Sequence, residues 1–326
     1  MSKGTAGPNK SDLRVAMVFG SGGLGAGGYY NEMGLKGLKQ AEAELGVGFD
    51  HRAAEGSADF EPHLRELAQS GRYALICVMS FGASAGLSQV ADEFPAQKFA
   101  AFDARAEKPN VTNYASEPES VSFLAGAAAG WLSRTGKVGT LFGTEGPGYW
   151  RWVASYTAGA KFAVPELEVA YEFLPEFSPS PEQGEKAATR LYDAGVDVIM
   201  AHLDQGDRGI FAAARRLGRY ALGFNGERHL DPEHIVFDLT RHLEVSVYDA
   251  ISRLVQGTLQ PGLSVSGLKE GQYALDYGSP RHPLVGPGLL ERIETLTREL
   301  NAQTYGPLPA KQGDVQPFLQ ALRRPA

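Results

Sequence analysis

The sequence predicts an α/β protein made of two similarly built lobes with parallel sheets. The first observation is a series of short, almost continuously apolar runs at 13–19, 73–79, 98–102, 137–142, 167–173, 196–201 and 220–224. Such runs are typical of strands buried on both faces, as in a parallel sheet covered by helices. The second observation is the length of 326 residues, which suits two domains better than one.

Segments with helical patterns alternate with these runs. They cover residues 31–45, 62–69, 119–132, 149–162, 181–193 and 209–217. Glycine closes or follows four of them, at Gly46, Gly71, Gly195 and Gly218, as expected for helix C-terminal caps. The second half of the chain repeats the βα alternation of the first, which favours two lobes over one wide sheet.

The pattern predicts three crossings between the lobes, which together form a hinge. Pro109 and Asn110 interrupt the pattern before residues 111–114, so we place the first crossing near residues 108–116. The predicted lobes and tail are an N-terminal lobe of 12–110 plus 241–267, a C-terminal lobe of 111–240 plus 268–303, and an extension of 304–326. The extension is rich in proline and is predicted to be mobile or packed on the surface.

Composition narrows the range of partners. A net charge of -7 argues against a nucleic-acid partner, because phosphate binding needs a basic face. Cys77 is the one cysteine, which excludes an intramolecular disulfide and a cysteine-based metal cluster. No apolar run approaches the ~20 residues of a membrane span. Residues 1–11 lack the apolar core of a secretory signal peptide, so a cytoplasmic protein and a mature form with a replaced leader both stay open.

Glycines dominate the segment after the first predicted strand, GSGGLGAGGYYN over residues 20–31. Gly20, Gly22 and Gly25 match the G-x-G-x-x-G pattern of a dinucleotide-binding loop between a strand and a helix. That pattern also calls for an acidic residue about 20 residues further on. Asp50 is the nearest candidate and lies too far along. The glycine pattern matches but the acidic residue does not, so an NAD(P)-dependent oxidoreductase stays only as an alternative.

The same loop is better interpreted as a wide turn that lets a ligand approach backbone N–H groups at a helix N-terminus. Tyr30 and Asn31 then begin that helix at the carboxyl end of a strand, where open α/β sheets bind ligands. An aromatic ring can stack on a ligand ring and an amide can bond its edge. We predict both as ligand residues, against the alternative that the tyrosines only pack the helix N-terminus.

Further polar and aromatic side chains follow predicted strands at their carboxyl ends. They are Phe81, Asp103, His202, Asp204 and Asn225. Phe81 would either cap the core or form a wall of the site. The pair of His202 and Asp204 also suits general-base chemistry or a metal ion. No G-x-S-x-G motif and no further histidine at ligand spacing accompany the pair, so we predict polar ligand recognition and no catalytic residue.

The run Gly28-Tyr29-Tyr30-Asn31 resembles the opening signature of the basic membrane protein family, which includes the purine nucleoside receptors of ABC transporters. The resemblance extends from about residue 14 to residue 277. Further matching blocks are 91–95, 98–100, 110–111, 122–126, 136–139, 194–199 and 247–251. It implies the type I periplasmic binding protein fold, in which two Rossmann-like lobes with parallel sheets are joined by a three-segment hinge.

The resemblance also implies roles for individual residues. Phe177 matches an aromatic residue that precedes a helix in the family, and we expect it to form an aromatic sandwich with Tyr30. Trp150 is the rival for that role. Asp103 resembles a family aspartate that lies near the cleft, and Arg241 aligns with a lysine that contacts ribose.

The chain departs from the family pattern at two places. Ala26 and Gly27 stand where the family has acidic residues before the aromatic-asparagine pair. Asn225 and Glu227 lie in a stretch where the family commonly has Gly-Val-Asp-Ser-Asp-Gln. Because these are polar positions, we expect a pocket that keeps the aromatic clamp and changes its polar edge.

The resemblance implies a solute-binding component of an ABC transporter that closes around a purine nucleoside or base. Its partners would be that ligand and a membrane permease, with no cofactor and no chemistry performed, and we expect a monomer. The expected location is the periplasm or cell surface, with the cytoplasm as the alternative. A cytoplasmic ligand-sensing regulator is a further alternative, although neither end shows a DNA-binding helix-turn-helix.

Overall fold

The computed structural model describes residues 13–20, 23–24 and 29–322. The twelve strands of this part are β1 (Arg14–Phe19), β2 (Gly48–Ala53), β3 (Leu75–Met79), β4 (Phe99–Phe102), β5 (Val111–Ser116), β6 (Lys137–Gly143), β7 (Glu168–Leu174), β8 (Val198–Met200), β9 (Tyr220–Phe224), β10 (Ile235–Arg241), β11 (Gly262–Ser266) and β12 (Tyr273–Asp276).

The described α-helices are α1 (Tyr29–Leu45), α2 (Phe60–Gln69), α3 (Ser84–Glu93), α4 (Glu119–Leu132), α5 (Pro147–Ala163), α6 (Pro181–Asp193), α7 (Asp207–Leu217), α8 (Leu243–Val255), α9 (Pro287–Asn301) and α10 (Val315–Leu322). The four glycines expected to cap helices all have a positive φ, between 61° and 97°, which confirms their predicted position after helix ends.

The chain divides into two compact units. The first unit holds the residues up to Ser116 together with His242–Ser266, and the second unit holds Glu117–Arg241 together with the residues from Gly267 onward. The chain therefore passes from one unit to the other three times. This confirms the predicted fold class of two α/β lobes joined by three segments.

The two sheets have the same strand order. The first runs β2-β1-β3-β4-β5-β11 with all pairs parallel, and the second runs β7-β6-β8-β9-β10-β12. In the second sheet, β12 is antiparallel to β10 and the other pairs are parallel. In each sheet the first strand of the unit lies between the second and the third, β1 between β2 and β3 and β6 between β7 and β8, so the strand order reverses there. Ligands of open α/β sheets bind at the carboxyl ends of strands near such a reversal.

Both faces of each sheet are buried. In β1, Val15, Met17 and Phe19 pack into one apolar cluster, whereas Ala16 and Val18 pack into another. In β6 the same division separates Phe142 from Leu141 in the second unit. Because neighbouring residues of a strand point to opposite faces, this alternation explains why the strands are apolar without interruption.

The structure corrects the predicted boundary of the first lobe at residue 110. Val111–Ser116 is a strand of the first unit, where Val111 pairs with Phe99 of β4 and Asn113 pairs with Leu263 of β11. The prediction had assigned residue 111 onward to the second lobe, because Pro109 and Asn110 interrupt the pattern just before it. The two residues lie in a turn between two strands of one sheet, so the crossing falls six residues later.

The C-terminal segment is also more ordered than the sequence predicted. Residues of α10 enter the core of the second unit, where Val315 is 2% exposed and Leu319 is 5% exposed. The hydroxyl of Ser155 on α5 donates a 2.6 Å hydrogen bond to the carbonyl of Pro309. The segment 304–322 therefore belongs to the second unit, and residues 323–326 lie outside the described part of the chain. Among the described helices, none is both long and apolar enough to cross a membrane.

Candidate functional site

Four non-glycine residues with a left-handed backbone lie after strands at their carboxyl ends. They are Asp103 (φ 56°) after β4, Thr144 (φ 42°) after β6, Asp204 (φ 56°) after β8 and Asn225 (φ 56°) after β9. This backbone conformation is uncommon outside glycine and costs free energy that the surrounding structure must offset. Such residues cluster at functional sites, so the strand ends are the candidate site in each unit.

In the first unit, Tyr30 and Asp103 are joined directly. The hydroxyl of Tyr30 donates a 2.8 Å hydrogen bond to Oδ2 of Asp103. Asn31 is 4% exposed, and its Nδ2 donates to the carbonyl oxygens of Gly20 at 3.4 Å and Gly23 at 2.8 Å. Asn31 therefore ties the turn after β1 to the first turn of α1, while Tyr30 and Asp103 lie side by side at the strand ends.

The glycine loop can be followed only in part. Gly20 and Gly23 are described, whereas Gly22, Gly25, Ala26 and Gly27 lie outside the described residues. The acidic residue needed by a dinucleotide-binding loop can be located, however. Asp50 lies within β2, 2.9 Å from a guanidinium nitrogen of Arg14, and accepts a 2.7 Å hydrogen bond from Tyr73. The Tyr73 hydrogen bond lowers the pKa of Asp50, so this carboxylate is committed to structural contacts away from a strand end.

Phe81 lies two residues after the end of β3 and begins a short 3₁₀ turn, Phe81–Ala83. The hydroxyl of Ser80 accepts a 3.2 Å hydrogen bond from the N–H of Gly82, which fixes the start of this turn. The side chain of Phe81 is 71% exposed. Phe81 therefore does not cap the core, and the structure presents its ring at the carboxyl end of the strand.

In the second unit, aromatic rings surround His202, which follows β8. The centroid of its imidazole lies 4.6 Å from Phe224, 4.9 Å from Trp152, 5.0 Å from Phe142 and 5.7 Å from Tyr149. Burial among these rings lowers the pKa of His202 to about 4. The imidazole is therefore neutral at physiological pH and offers one hydrogen-bond donor and one acceptor.

Phe177 and Asp204 lie next to this aromatic group. The ring of Phe177 is 64% exposed, and its centroid is 6.4 Å from that of Tyr149. Ser178 donates a 2.7 Å hydrogen bond to Oδ2 of Asp204. This bond links the segment after β7, which carries Phe177, to the loop after β8, which carries Asp204. It therefore brings together two residues that were predicted from the sequence.

Asn225 and Arg241 meet at the ends of β9 and β10. The backbone N–H of Asn225 donates to the carbonyl of Leu239 at 2.8 Å, and its Oδ1 accepts from the N–H of Arg241 at 3.4 Å. The guanidinium of Arg241 lies 5.9 Å from the ring centroid of Tyr273. The polar residues predicted for the second unit therefore lie at the ends of three successive strands.

Trp150 lies apart from this group. Its ring packs on Tyr171 and Phe173 of β7, at 5.5 Å and 5.0 Å, and its Nε1 donates to Glu145 at 3.0 Å. The indole that contacts His202 belongs to Trp152, a residue that was not predicted from the sequence. Phe142, Tyr149 and Phe224 were missed in the same way, although Phe142 and Phe224 lie at strand ends and Tyr149 lies in the first turn of α5.

The arrangement suits binding by ring stacking and hydrogen bonding. It offers exposed rings, a neutral imidazole and carboxylate or amide groups near strand ends. In the described part of the chain, no group of three or more histidine, cysteine or acidic side chains is placed to hold a metal ion. Cys77 is buried in β3, and burial raises the pKa of its thiol to about 12, which leaves it protonated and unreactive.

Comparison with known proteins gives a consistent result. Residues 13–277 match the family model described as ABC transporter substrate-binding protein PnrA-like. An uncharacterized lipoprotein of Pyrococcus abyssi is 28% identical over 81% of this chain and 70% of its own length. Basic membrane protein D of Borreliella burgdorferi is 27% identical over 80% of this chain and 78% of its own length.

Solved structures show the same fold. The crystal structure of an ABC transporter system solute-binding protein from Aeropyrum pernix K1 has a TM-score of 0.75 and 22% identity, covering 95% of this chain and 97% of that one. A transcriptional activator of the comK gene from Bacillus halodurans has a TM-score of 0.77 and 19% identity over 91% of this chain and 99% of that one. The family model spans most of the sequence, and the chain therefore belongs to the family of PnrA-like ABC transporter substrate-binding proteins.

Proposed function

We propose that this protein captures a purine nucleoside or purine base for an ABC transporter and performs no chemistry on it. The ligand would be held by aromatic stacking and by polar contacts to the edge of its ring system. The residues we assign to this role are those predicted at strand ends, Tyr30, Asn31, Phe81, Asp103, Phe177, His202, Asp204, Asn225 and Arg241, joined by Tyr149 and Trp152.

The observation that carries the proposal is an exposed aromatic ring that follows the carboxyl end of a strand in each unit. Phe81 is 71% exposed and Phe177 is 64% exposed, the two highest values among the exposed large hydrophobic side chains of the described residues. Leaving such apolar area in water forgoes about 25 cal/mol per Å² of stabilisation. A planar ligand that stacks on the ring recovers this free energy, and stacking on a base contributes about 1–3 kcal/mol.

The polar groups suit the mixed edge of a purine. A purine ring presents both donors and acceptors, and neutral His202 can meet either one. Asp103 can accept from a ring N–H or a ribose hydroxyl, and such a charge-assisted bond contributes about 1.5–3 kcal/mol. Asn225 offers an amide where the family commonly has a carboxylate, which supports a different preference at that edge.

Family membership also supports the partner and the location. Several relatives are named lipoproteins or basic membrane proteins, and the family is one of ABC transporter substrate-binding proteins. We assign this protein to the outer side of the cytoplasmic membrane as a monomer, where its ligand-bound form docks on a permease.

Isothermal titration calorimetry with inosine, guanosine, adenosine and hypoxanthine tests the function, with free ribose as the non-aromatic control. We expect saturable one-site binding of at least one purine and none of ribose. Phe81→Ala and Phe177→Ala should each weaken that binding about 5- to 150-fold, as the loss of one stacked ring predicts. Both variants should keep the unfolding free energy, because the rings are exposed.

Leu263→Ala is the matched control. Leu263 is 54% exposed on the body of β11 and lies away from the strand carboxyl ends. This variant should bind as the unchanged protein does. Absence of binding by all four purines, or equal affinity of the Phe81, Phe177 and Leu263 variants, would refute the assignment of ligand and site.

A further inference from the structure

Tyr273 on β12 was not predicted from the sequence as a site residue, yet it contacts two parts of the candidate site. It is 3% exposed. The centroid of its ring lies 5.7 Å from that of Trp152, and the two rings meet edge to face at 88°. The guanidinium carbon of Arg241 lies 5.9 Å from the same centroid. One buried ring therefore contacts both a predicted ligand residue and the aromatic group around His202.

The backbone of Tyr273 is bonded to the third and second crossings of the chain. The third crossing enters the second unit at Gly267, whose carbonyl oxygen accepts from the N–H of Gln272 at 2.9 Å and of Tyr273 at 3.3 Å. Tyr273 also pairs with Arg241 across the antiparallel strands β12 and β10. Arg241 is the last residue of the second unit before the second crossing. Tyr273 is thus held at both points.

The first crossing reaches the same place through Glu117, which is the first residue of the second unit. A methyl group at Gly267 would lie 2.5 Å from Oε2 of Glu117 and 2.9 Å from its carbonyl oxygen. The backbone N–H and the hydroxyl of Ser120 both donate to Oε1 of Glu117 at 3.1 Å, which holds this side chain in place. Glycine is therefore required at 267, because the first and third crossings touch there.

The contacts of the Tyr273 ring depend on direction. Aromatic pairs favour offset or edge-to-face arrangements, and a cation is attracted to the face of a ring. A Tyr273 that moves with the crossings must therefore disturb its contacts with both Trp152 and Arg241. Trp152 in turn lies 4.9 Å from His202, so the displacement is passed on to the candidate site.

We propose that Tyr273 is a positioning residue that connects the three crossings of the chain to Arg241 and to the aromatic group around His202. A change at the crossings reaches the ligand-binding side chains through its backbone and its ring. The effect on ligand affinity rests on the proposed function, whereas the connection itself can be tested without a ligand.

Trp152 reports on this connection because its ring contacts Tyr273 directly. In protein labelled with fluorotryptophan, the fluorine resonance of Trp152 is sensitive to that contact. Trp131→Phe and Trp150→Phe assign the resonance by elimination among the three tryptophans of the chain.

The first experiment displaces the crossings with Gly267→Ala. The added methyl group must push Gly267 away from Glu117, and the carbonyl oxygen that Tyr273 bonds moves with it. We expect a shift of the Trp152 resonance. Gly288→Ala is the matched control, because no atom lies within 4 Å of a methyl group there, and it should leave the resonance in place. An unchanged resonance in Gly267→Ala would overturn the proposal.

The second step asks whether the shift passes through Tyr273. The effect of Gly267→Ala on Trp152 is compared in three backgrounds, namely the unchanged protein, Tyr273→Phe and Tyr273→Leu. Phenylalanine keeps the ring that contacts Trp152, so the shift should persist. Leucine removes the ring, so the further shift caused by Gly267→Ala should be much smaller. A shift of equal size in the Tyr273→Leu background would overturn the proposal.

Tyr192→Leu controls for the loss of a buried tyrosine. Tyr192 is 2% exposed and packs in the apolar cluster on the other face of the same sheet. This variant should lose unfolding free energy as Tyr273→Leu does, yet keep the full response of Trp152 to Gly267→Ala. Loss of the response in both backgrounds would show a general loosening of the unit, which would also overturn the proposal. If Tyr273→Leu does not fold, Gly267→Ala with its control still decides.

The last experiment measures inosine affinity in a double-mutant cycle of Tyr273→Leu and Arg241→Gln. Tyr273→Leu should weaken binding about 5- to 30-fold, as expected for the loss of a shielded contact between a cation and a ring. In the Arg241→Gln background the same change should matter less than about twofold, because the guanidinium that Tyr273 holds is gone. Tyr273→Phe should bind nearly as the unchanged protein does.

The outcomes separate this proposal from the proposed function. If the Trp152 shift depends on Tyr273 but the two losses of affinity are simply additive, Tyr273 does not position Arg241 for the ligand, and that part is wrong. If inosine binds to none of these proteins, the proposed ligand is wrong, while the Trp152 resonance still decides whether Tyr273 makes the connection.

Discussion

The hydroxyl of Tyr30 lies 2.8 Å from Oδ2 of Asp103, across the ends of two elements that are 73 residues apart in the chain. The bond fixes the direction of the Tyr30 ring at the start of α1. It also occupies one part of a carboxylate that can accept several hydrogen bonds, so Asp103 keeps the capacity to accept another from a ligand. Ring and carboxylate thus act as one unit of the candidate site.

Substitutions at Tyr30 should separate stacking from this bond. Tyr30→Phe keeps the ring and loses the hydroxyl, so we expect purine binding to weaken by about 1 kcal/mol, the net contribution of a typical hydrogen bond. Tyr30→Ala also loses the ring and should weaken binding by a further 1–3 kcal/mol on the basis of about that contribution per stacked base. Calorimetric titration measures both. Equal affinities of the two variants would show that the ring does not stack on the ligand.

His202 should make stability depend on pH in the acidic range. Its pKa is lowered to about 4 in the folded protein, whereas the unfolded chain takes up the proton near the ordinary value of about 6.5. The unfolded state therefore binds more protons between these values, and acidification through this window destabilises the fold. His202→Gln should reduce that loss, as measured by urea unfolding at about pH 6.5 and about pH 4.5.

The control for this experiment is His51→Gln in the first unit, where the imidazole is exposed on β2. That variant should show the same acid response as the unchanged protein. A His202→Gln variant that loses as much stability on acidification as the unchanged protein does would contradict the enclosed, neutral imidazole.

Each of the seven apolar runs predicted from the sequence contains a strand. One of them, β7, is an edge strand whose residues are mostly exposed or half-buried. The other six lie inside their sheets, where burial on both sides leaves no polar alternation to hide the pattern. The strand β2 was missed for the opposite reason. It lies at the sheet edge, pairs only with β1 and carries Asp50, His51 and Arg52, so its composition resembles that of a loop.

The candidate site was predictable only where it depends on strand ends. His202, Asp204 and Asn225 were selected because they follow apolar runs, and the structure places each after a strand. Trp150 was named as a candidate and Trp152 was not, because the sequence does not show which side of α5 meets the strands. Residues two positions apart on an α-helix point about 200° apart, so the choice required the packed structure.

Gly143 at the end of β6 should be essential for the position of Phe177. A methyl group at Gly143 would overlap the carbonyl oxygen of Phe177 and lie 2.7 Å from that of Glu176. Gly143→Ala must therefore displace the segment that carries the exposed ring. We expect a loss of about 1–3 kcal/mol in unfolding free energy, as for other overpacked sites, together with weaker purine binding.

Gly148→Ala is the matched control, because no atom lies within 4 Å of a methyl group there. Alanine also favours the helix over glycine by up to about 1 kcal/mol. This variant should be neutral or slightly more stable and should bind normally. Normal purine affinity in Gly143→Ala would show that the Phe177 segment does not contribute to the site.

The crossing of α4 and α5 should set the position of the aromatic group around His202. A methyl group at Gly126 would overlap the carbonyl oxygen of Tyr156, and one at Gly159 would overlap that of Phe123, so the two helix backbones are in direct contact. Ser122 adds a 2.7 Å hydrogen bond to the carbonyl of Trp152. Because α5 carries Tyr149 and Trp152, a displaced crossing would move both rings.

Three alanine variants give a graded test of this crossing. At Gly126 the methyl group meets backbone that cannot move aside, at Gly130 its nearest neighbour is the carbonyl oxygen of Ala160 at 3.0 Å, and at Gly148 the space is open. Urea unfolding should show the largest loss of unfolding free energy for Gly126→Ala, about 3 kcal/mol. The loss should be smaller for Gly130→Ala and absent for Gly148→Ala. In protein labelled with fluorotryptophan, the fluorine resonance of Trp152 should shift in the same order. A Gly126→Ala variant as stable as Gly148→Ala would mean that the helices are not packed backbone against backbone, and the position of the aromatic group would then need another cause.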